Sequence, residues 1–584
     1  MSEQAMVMEI ELKLLVAPEH LARLRRHPLL RAGARGKPVS RRFFAEYYDT
    51  EDFALQRAGV ALRLRHEGRR IMQTVKFTGR VEGGLHQRPE GESEVHDGQL
   101  DFAVLAQAGW SKTLSDPDLQ RRLRPMFATE FRRTQRMLEP SPGSVMEFCL
   151  DQGEIRAGNH TLPISEIEIE LRSGAPSALY DLAIALDRSI PLKLERRSKA
   201  ERGYHLLRVS TPQPPEPPQP IKAVPIKLTG KMSVAAAFTR IVFDCLAHLQ
   251  ANEAGTLARQ GPEYLHQMRV AVRRLRSAFG IFRSAFSGAA FQQHAAELRW
   301  LGQTLGPARD WDVFSTKTLP EIGAQFPDHA GIAQVAKSAA QARAAAGAMA
   351  IEAIASRRYQ RLLLLLSAWL TALLDTASAA AGQVAEAAAE AGATAASLAD
   401  PASAAIAATP QATDAVANAP SPMADMVVLK EYASRILSKR HKQVRKRGRK
   451  LSRLGADERH QLRIAVKKLR YASEFFSSLY AKGPVRKYTA ALAELQEVLG
   501  ALNDAATTPT LPLHLTVSET RKHEATGEQR AASLTTGDPQ DAGIVAGLHE
   551  AAGIIAGYSA AQAKVKLPAL DKRFNAFRHA STFW

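Results

Sequence analysis

Glu9-Ile10-Glu11-Leu12-Lys13-Leu14, near the amino terminus, puts charged side chains at alternate positions. In a strand, alternate side chains share a face, so Glu9, Glu11 and Lys13 point one way and Ile10, Leu12 and Leu14 the other. The device recurs: Arg63 and Arg65 alternate with Leu62 and Leu64, and Glu166, Glu168 and Glu170 alternate with Ile167, Ile169 and Leu171. A solvated outer face over an apolar core would account for any one such strand. The charges, however, segregate by strand into carboxylate and guanidinium sets instead of mixing to pair across strands. Three carboxylates in a row also repel one another unless a cation lies between them. Closing the sheet with these faces inward yields a polar tunnel: carboxylates hold a hard divalent ion, and Arg and Lys hold the anion it bridges. Oxygen donors without a Cys/His cluster favour Mg²⁺ or Mn²⁺ over Zn²⁺.

The surrounding sequence supports a sheet. Met72–Phe77 and Val145–Leu150 also read as strands, with turn signals at Glu82-Gly83-Gly84 and Asp151-Gln152-Gly153 and helical stretches at Pro18–Arg26 and Ala178–Leu186. The expectation is an α+β domain around an antiparallel sheet or barrel over residues 1–210. Thr211–Pro220 carries six prolines in ten residues, an extended spacer, so residues 211–227 read as a linker. Beyond it the hydrophobic period becomes 3.6, and residues 228–584 should form an all-α helical bundle. Residues 371–429 contain no Lys or Arg and read as an Ala-rich low-complexity insert, helical at its start and irregular from about Gly392.

Glu9-x-Glu11-x-Lys13 resembles the ExExK signature of the CYTH superfamily, the triphosphate tunnel enzymes. Ala58–Arg65, Lys76 in TVKFTGR, Asp151 in LDQGEI, the SEIEIEL strand and Ser198–Tyr204 match that family in order. The stretch Gly83–Glu90 looks most like bacterial inorganic triphosphatases that carry a helical domain behind the barrel. The resemblance implies metal binding by Glu9, Glu11, Glu168 and Glu170, with Asp151 and Glu166 as further acidic members. It implies phosphate binding by Lys13, Arg63, Arg65, Lys76 and Arg133, and by Lys193 and Lys199. Of these, Glu9, Glu11, Lys13, Arg63, Arg65 and Lys76 form the expected catalytic set. Arg132 competes with Arg133 for the inward register, and His86 reads as a surface loop histidine rather than a general base. The implied chemistry is hydrolysis of a terminal phosphoanhydride, which needs charge neutralisation and in-line positioning. No glycine-rich nucleotide cradle is present.

The helical part repeats at an offset of 194 residues: His266-Gln267-Met268-Arg269-Val270-Ala271-Val272-Arg273-Arg274-Leu275-Arg276 matches His460-Gln461-Leu462-Arg463-Ile464-Ala465-Val466-Lys467-Lys468-Leu469-Arg470. Leu305-Gly306 with Asp310 likewise matches Leu499-Gly500 with Asp504. Two similar helical units about a pseudo-twofold axis are expected. At 100° per residue, His266, Arg269, Arg273 and Arg276 fall in one stripe about 80° wide, opposite Met268, Ala271, Val272, Leu275 and Phe279. His460, Arg463, Lys467 and Arg470 form the second stripe. Neither contains a carboxylate, and like charges four apart repel. The repeat resembles the CHAD domain, which implies a polyphosphate groove made by the two stripes.

Composition sets the frame. The chain has 584 residues, 78 Lys+Arg against 59 Asp+Glu, a net charge of +19 and two cysteines. Residues 1–210 carry 33 basic and 29 acidic side chains; within Lys430–Arg470 the numbers are 16 and 3. Such a field recruits polyanions, but no aromatic residues interleave the basic run as a base-stacking platform would require. The apolar run Leu362–Leu374 is short for a bilayer. The partners expected are inorganic triphosphate and polyphosphate, with no specific nucleic acid and no membrane. The location expected is cytoplasmic, with association with polyphosphate granules. The competing readings are a thiamine triphosphatase or adenylate cyclase on the same barrel, and a polyphosphate-granule scaffold without activity.

Overall fold

In a computed structural model of the chain, residues 6–107, 113–209, 219–286, 288–397, 428–511 and 539–584 are described. The strands are β1 (Val7–Val16), β2 (Ala34–Asp49), β3 (Val60–Glu67), β4 (Arg70–Phe77), β5 (Arg80–Glu82), β6 (Leu85–Val95), β7 (Arg124–Ser141), β8 (Ser144–Ala157), β9 (His160–Ser173) and β10 (Leu192–Leu194). They pair in the order β10-β1-β9-β8-β7-β2-β3-β4-β6-β5, and β6 also pairs with β1. That last pairing closes an eight-stranded antiparallel barrel, with β5 and β10 as outliers.

The period-two pattern determines which face is which. Leu12, Leu14, Leu62, Leu64, Ile167 and Ile169 are buried on the outer wall; Leu62, for example, packs against Leu105, Leu114 and Leu119. Each such side chain contributes about 1.5–3 kcal/mol by leaving water. The charged alternates are thereby left pointing into the barrel. Register then fixes their neighbours: Glu11 lies opposite Glu170 and Lys13 opposite Glu168, Glu9 opposite Arg88, and Glu147 opposite Glu170.

Two glycines permit close approach. The expected turn at Asp151-Gln152-Gly153 is not one: these residues run through the middle of β8. A Cβ on Gly153 would collide with the Glu130 carbonyl and with Phe131, so glycine is needed here for strand packing and not for chain reversal. Gly203, in the helix Lys199–Val209, lies flat against the Phe127 ring and has no room for a Cβ. That helix starts with a mutual cap between Ser198 and Glu201. Its Tyr204 joins Phe43, Tyr47, Phe127 and Phe131 in a core cluster.

The chain forms two compact units, Met1–Gln219 with Arg357–Leu398, and Pro220–Ser356 with Ala399–Trp584. The first boundary lies within the proline-rich segment, most of which falls outside the described residues. The helix Arg357–Ser397, expected within the helical domain, groups instead with the barrel and packs on the helix Ser177–Asp187 and on β10. The Asp375 carboxylate accepts the Ser177 N–H at 2.9 Å. Arg357 donates to the Asp187 carbonyl, and Arg361 lies 3.7 Å from the Asp187 carboxylate. Most of the remaining insert, residues 398–427, lies outside the described residues. Two helices, Val234–Leu257 and Arg357–Ala380, are long and apolar enough to cross a bilayer by length and composition; their apolar windows are 67% and 44% buried within the fold.

The second unit is helical. The repeated motifs lie on Pro262–Phe282 and Ala456–Phe476, which pack against each other. Met268, Ala271, Val272, Leu275 and Phe279 are buried as the 3.6 period requires, as are Leu462, Ala465, Val466 and Leu469.

Candidate functional site

The barrel encloses a cavity of about 520 Å³ lined, among the described residues, by nine cationic and eight acidic side chains. Of the residues expected from sequence, Glu9, Glu11, Lys13, Arg63, Arg65, Lys76, Arg133, Glu168, Glu170 and Lys199 all line it. The Arg132/Arg133 register is resolved: Arg133 faces the cavity and Arg132 is exposed.

At one end Glu9 accepts from Lys76 at 2.9 and 3.0 Å and from Arg88 at 2.9 Å. Glu11 accepts from Arg88 at 2.7 Å and lies 2.9 Å from Lys13. Burial would raise the Glu9 carboxyl, but Lys76, Arg88 and Lys13 outweigh it and hold the group well below the usual carboxylate range. Glu170 behaves differently. Burial, with Glu9, Glu11 and Glu147 nearby, pushes it up to about 7 even though Arg172 lies 2.6 Å away. Four carboxylates, Glu9, Glu11, Glu147 and Glu170, converge here, and such a set of oxygen donors fits a hard divalent cation.

Across the cavity, Arg63 and Arg65 approach Glu92 at 3.9 and 3.2 Å. The Tyr47 hydroxyl accepts from Arg63 at 3.4 Å. Burial and Arg63 together hold Arg65 down from its ordinary value, against the opposing pull of Glu92 and Glu67.

Asp151, Glu166 and Glu168 form a buried acidic cluster whose oxygens lie within 4.8 Å of one another. Here a cation is already supplied by the protein. The Lys199 ammonium donates to Asp151 at 2.7 Å and to Glu168 at 3.0 Å, and pairs with Glu166. Arg133 forks onto Asp151 at 2.7 and 2.8 Å, and Arg202 pairs with Glu166. Asp151 and Glu166, expected among the metal-binding acids, thus lie behind the cavity wall and hold Lys199, Arg133 and Arg202 in place. Lys193 lies on β10 and is not among the cavity-lining residues. His86 is not a surface loop residue. It is buried on β6, 3.4 Å from the Glu195 carbonyl, and burial with Lys13 and Arg88 keeps it well below its usual value.

Arg88, Glu90 and Glu92 on β6 escaped the sequence reading, as did Glu67, Glu147 and Arg172. On β6 the positions between the charges are Pro89, Gly91 and Ser93, so the hydrophobic half of the alternation is missing.

In the helical unit the two stripes converge. Burial, with Arg463 on the same helix and Arg273 and Arg269 on the other, lowers Lys467 to about 8. The Nε atoms of Arg273 and Arg463 are buried without a hydrogen-bond partner among the described residues. The repeated Leu-Gly…Asp segments position the arginines: Arg269 donates to the Leu305 carbonyl at 3.1 Å and to the Gly306 carbonyl, and lies 3.3 Å from Asp310. Arg463 lies 3.7 Å from Asp504. His266 is lowered by burial and by Arg309, whereas His460 Nδ1 contacts Asn503 Oδ1 at 2.5 Å. Arg276 remains exposed. The second stripe is not free of carboxylates, because Arg470 pairs with Glu474 at 2.8 Å.

Comparison with known proteins divides the chain in the same order, although the second match runs through the helix Arg357–Ser397, which the structure groups with the barrel. Residues 8–204 match the CYTH domain and residues 240–511 match the CHAD domain. The chain carries a CYTH domain followed by a CHAD domain. A curated relative, the inorganic triphosphatase of Haemophilus influenzae, is 33% identical over 214 residues, covering 35% of this chain and 56% of that protein. The chain thus spans about half the length of that relative. The crystal structure of the CHAD domain from the plant Ricinus communis is 28% identical, covers 63% of this chain and 99% of that one, and has a TM-score of 0.45. A Hippeastrum protein described as having a dominant triphosphatase activity is 19% identical, covering 34% and 96% of the two chains, with a TM-score of 0.27.

Proposed function

We propose that the protein is a metal-dependent inorganic triphosphatase, which hydrolyses triphosphate to diphosphate and phosphate in the CYTH barrel, and that its CHAD domain binds polyphosphate. The observation that carries the catalytic reading is the mixed lining of the cavity. A tunnel built only to hold an anion would have no use for eight carboxylates in its lining, whereas one that holds a metal–triphosphate complex needs both signs. The inorganic triphosphatase activity of the Haemophilus influenzae relative supports the same choice.

In this reading Glu9, Glu11 and Glu170, with Glu168 adjoining, would hold Mg²⁺ or Mn²⁺. Such an ion supplies charge neutralisation and a polarised water. The remaining work falls to the chain's own residues. Arg63, Arg65, Lys76 and Arg88 hold non-bridging phosphate oxygens and line up the scissile bond. Lys13 and Arg133, clamped by Glu168, keep positive charge close to the phosphates without swinging away. Preset cations cost little reorganisation as charge develops in the transition state. The test is phosphate release from triphosphate, ATP, thiamine triphosphate and long-chain polyphosphate with Mg²⁺ and with Mn²⁺. Triphosphate should give the highest kcat/KM; a higher value for ATP or thiamine triphosphate would replace this reading with an organic triphosphatase.

For the CHAD domain, the converging stripes of Arg269, Arg273, Arg463 and Lys467 form the proposed groove, with His266, His460, Arg276 and Arg470 along it. Lys467 is faced by Arg463 on its own helix, by Arg269 and Arg273 on the facing helix, and by Asp504. A bound polyanion favours its charged form, so its value rises on binding. Affinity should therefore fall as pH rises through about 8, and binding near pH 8.5 should take up protons. Calorimetry in buffers of different ionisation enthalpy would reveal that uptake, and proton release would contradict it.

A further inference from the structure

A second basic cavity, of about 710 Å³, lies where the helices Pro262–Phe282, Leu429–Arg447 and Ala456–Phe476 meet. Among the described residues seven cations line it and no carboxylate does: Arg273, Arg276, Arg283, Lys439, Arg440, Lys467 and Lys468. Its floor is apolar. Ile281 and Ile436 are buried beneath it, and Ile464 and Tyr471 form a wall. Tyr471 stands one residue past the basic run, and the fold brings it among the cations.

The cavity arises where the two repeats differ. At the offset of 194, Arg276 corresponds to Arg470 and Gly280 to Glu474. In the second repeat, Glu474 pairs with Arg470 one helical turn away. In the first repeat Gly280 offers no side chain, and a Cβ there would meet nothing within 4 Å among the described residues. The missing glutamate leaves both a space and an excess of positive charge. Lys468 is held down by burial and by Arg440 and Arg447, so its neighbours on the adjoining helix add to the unbalanced field.

A cationic rim over an apolar floor of this size suits a ligand with two unlike parts. Bare polyphosphate has nothing to bury against three isoleucines and a tyrosine. We infer that this furrow is a binding site for a nucleoside polyphosphate, with Arg276, Lys467, Lys468 and Arg440 around the phosphates and the base against Tyr471, Ile436 and Ile464. This site is separate from the barrel cavity, and it shares Arg273, Arg276 and Lys467 with the proposed polyphosphate groove, to which it adds Arg283, Lys439, Arg440, Lys468 and the apolar surface.

Photolabelling of the full chain with an azido-adenosine diphosphate, followed by mapping of the modified peptides, tests it and separates this furrow from the barrel. Label should appear within residues 436–443 or 464–471. Gly280→Glu restores the carboxylate of the other repeat and should cut that label at least tenfold, whereas Gly280→Ala should keep it. Lys468→Glu, at an exposed position, should act like Gly280→Glu and gives an independent reading. Unlabelled ADP should compete more strongly than pyrophosphate, and Tyr471→Ala should erase about a tenfold part of that advantage, the scale of one base–aromatic stack. Label confined to barrel peptides would overturn the inference. So would Gly280→Glu and Lys468→Glu proteins labelled like the parent, or equal competition by ADP and pyrophosphate.

Discussion

Glu11→Gln should lower triphosphate turnover by about 10³-fold, or about 4 kcal/mol of transition-state stabilisation. The amide has nearly the shape of the carboxylate, so the barrel should fold, but two things are lost. A neutral amide oxygen is a much poorer donor to a hard divalent cation. Arg88 and Lys13, which Glu11 holds at 2.7 and 2.9 Å, also lose the charge that aims them. Steady-state kinetics at saturating Mg²⁺, with thermal unfolding of the same variant, separates catalysis from stability. Turnover within tenfold of the parent would show that Glu11 is not part of the metal-holding set.

Lys199→Met should have the largest effect on stability. Asp151, Glu166 and Glu168 are 0, 1 and 8% exposed, and all three contact this one ammonium. Removing it leaves buried carboxylates without their shared cation, at a cost of about 3–5 kcal/mol and a drop in Tm of roughly 10 °C for a unit of this size. The pH dependence has a definite sign. Despite burial, Arg133 and Lys199 hold Asp151 below its usual value, and Lys13, Lys199 and Arg133 hold Glu168 well below. Depressed carboxyl groups give stability that is present above the unfolded-state value near pH 4 and lost as pH falls through the folded-state value. The deficit of the variant should thus be full at pH 7 and shrink in acid. A Tm unchanged at pH 7 would mean that the cluster does not rely on Lys199.

The inner wall was legible in sequence wherever charge alternated with aliphatic residues. β1, β3 and β9 each show both halves of that pattern, and the burial of Leu12, Leu62 and Ile167 on one face places Glu11, Arg63 and Glu168 on the other. β6 was missed because Pro89, Gly91 and Ser93 replace the aliphatic half, although Arg88, Glu90 and Glu92 keep the charged half. The split of the acids into a cation-holding end and a cluster neutralised by Lys199 could not be read either. It depends on a helix that begins 31 residues after Glu168 and is placed by the fit of Gly203 against Phe127. The helical repeat was plain at an offset of 194. Its one informative departure, Gly280 against Glu474, gains meaning only once three helices enclose the space that glycine leaves open.

The most direct test of the catalytic account is ³¹P NMR of inorganic triphosphate incubated with the full chain, first with Mg²⁺ or Mn²⁺ and then with a chelator in excess. The account predicts one diphosphate and one phosphate per triphosphate consumed with the metal present, and intact triphosphate once it is removed. Triphosphate left intact with both metals, or cleaved equally fast in the chelator, would contradict it.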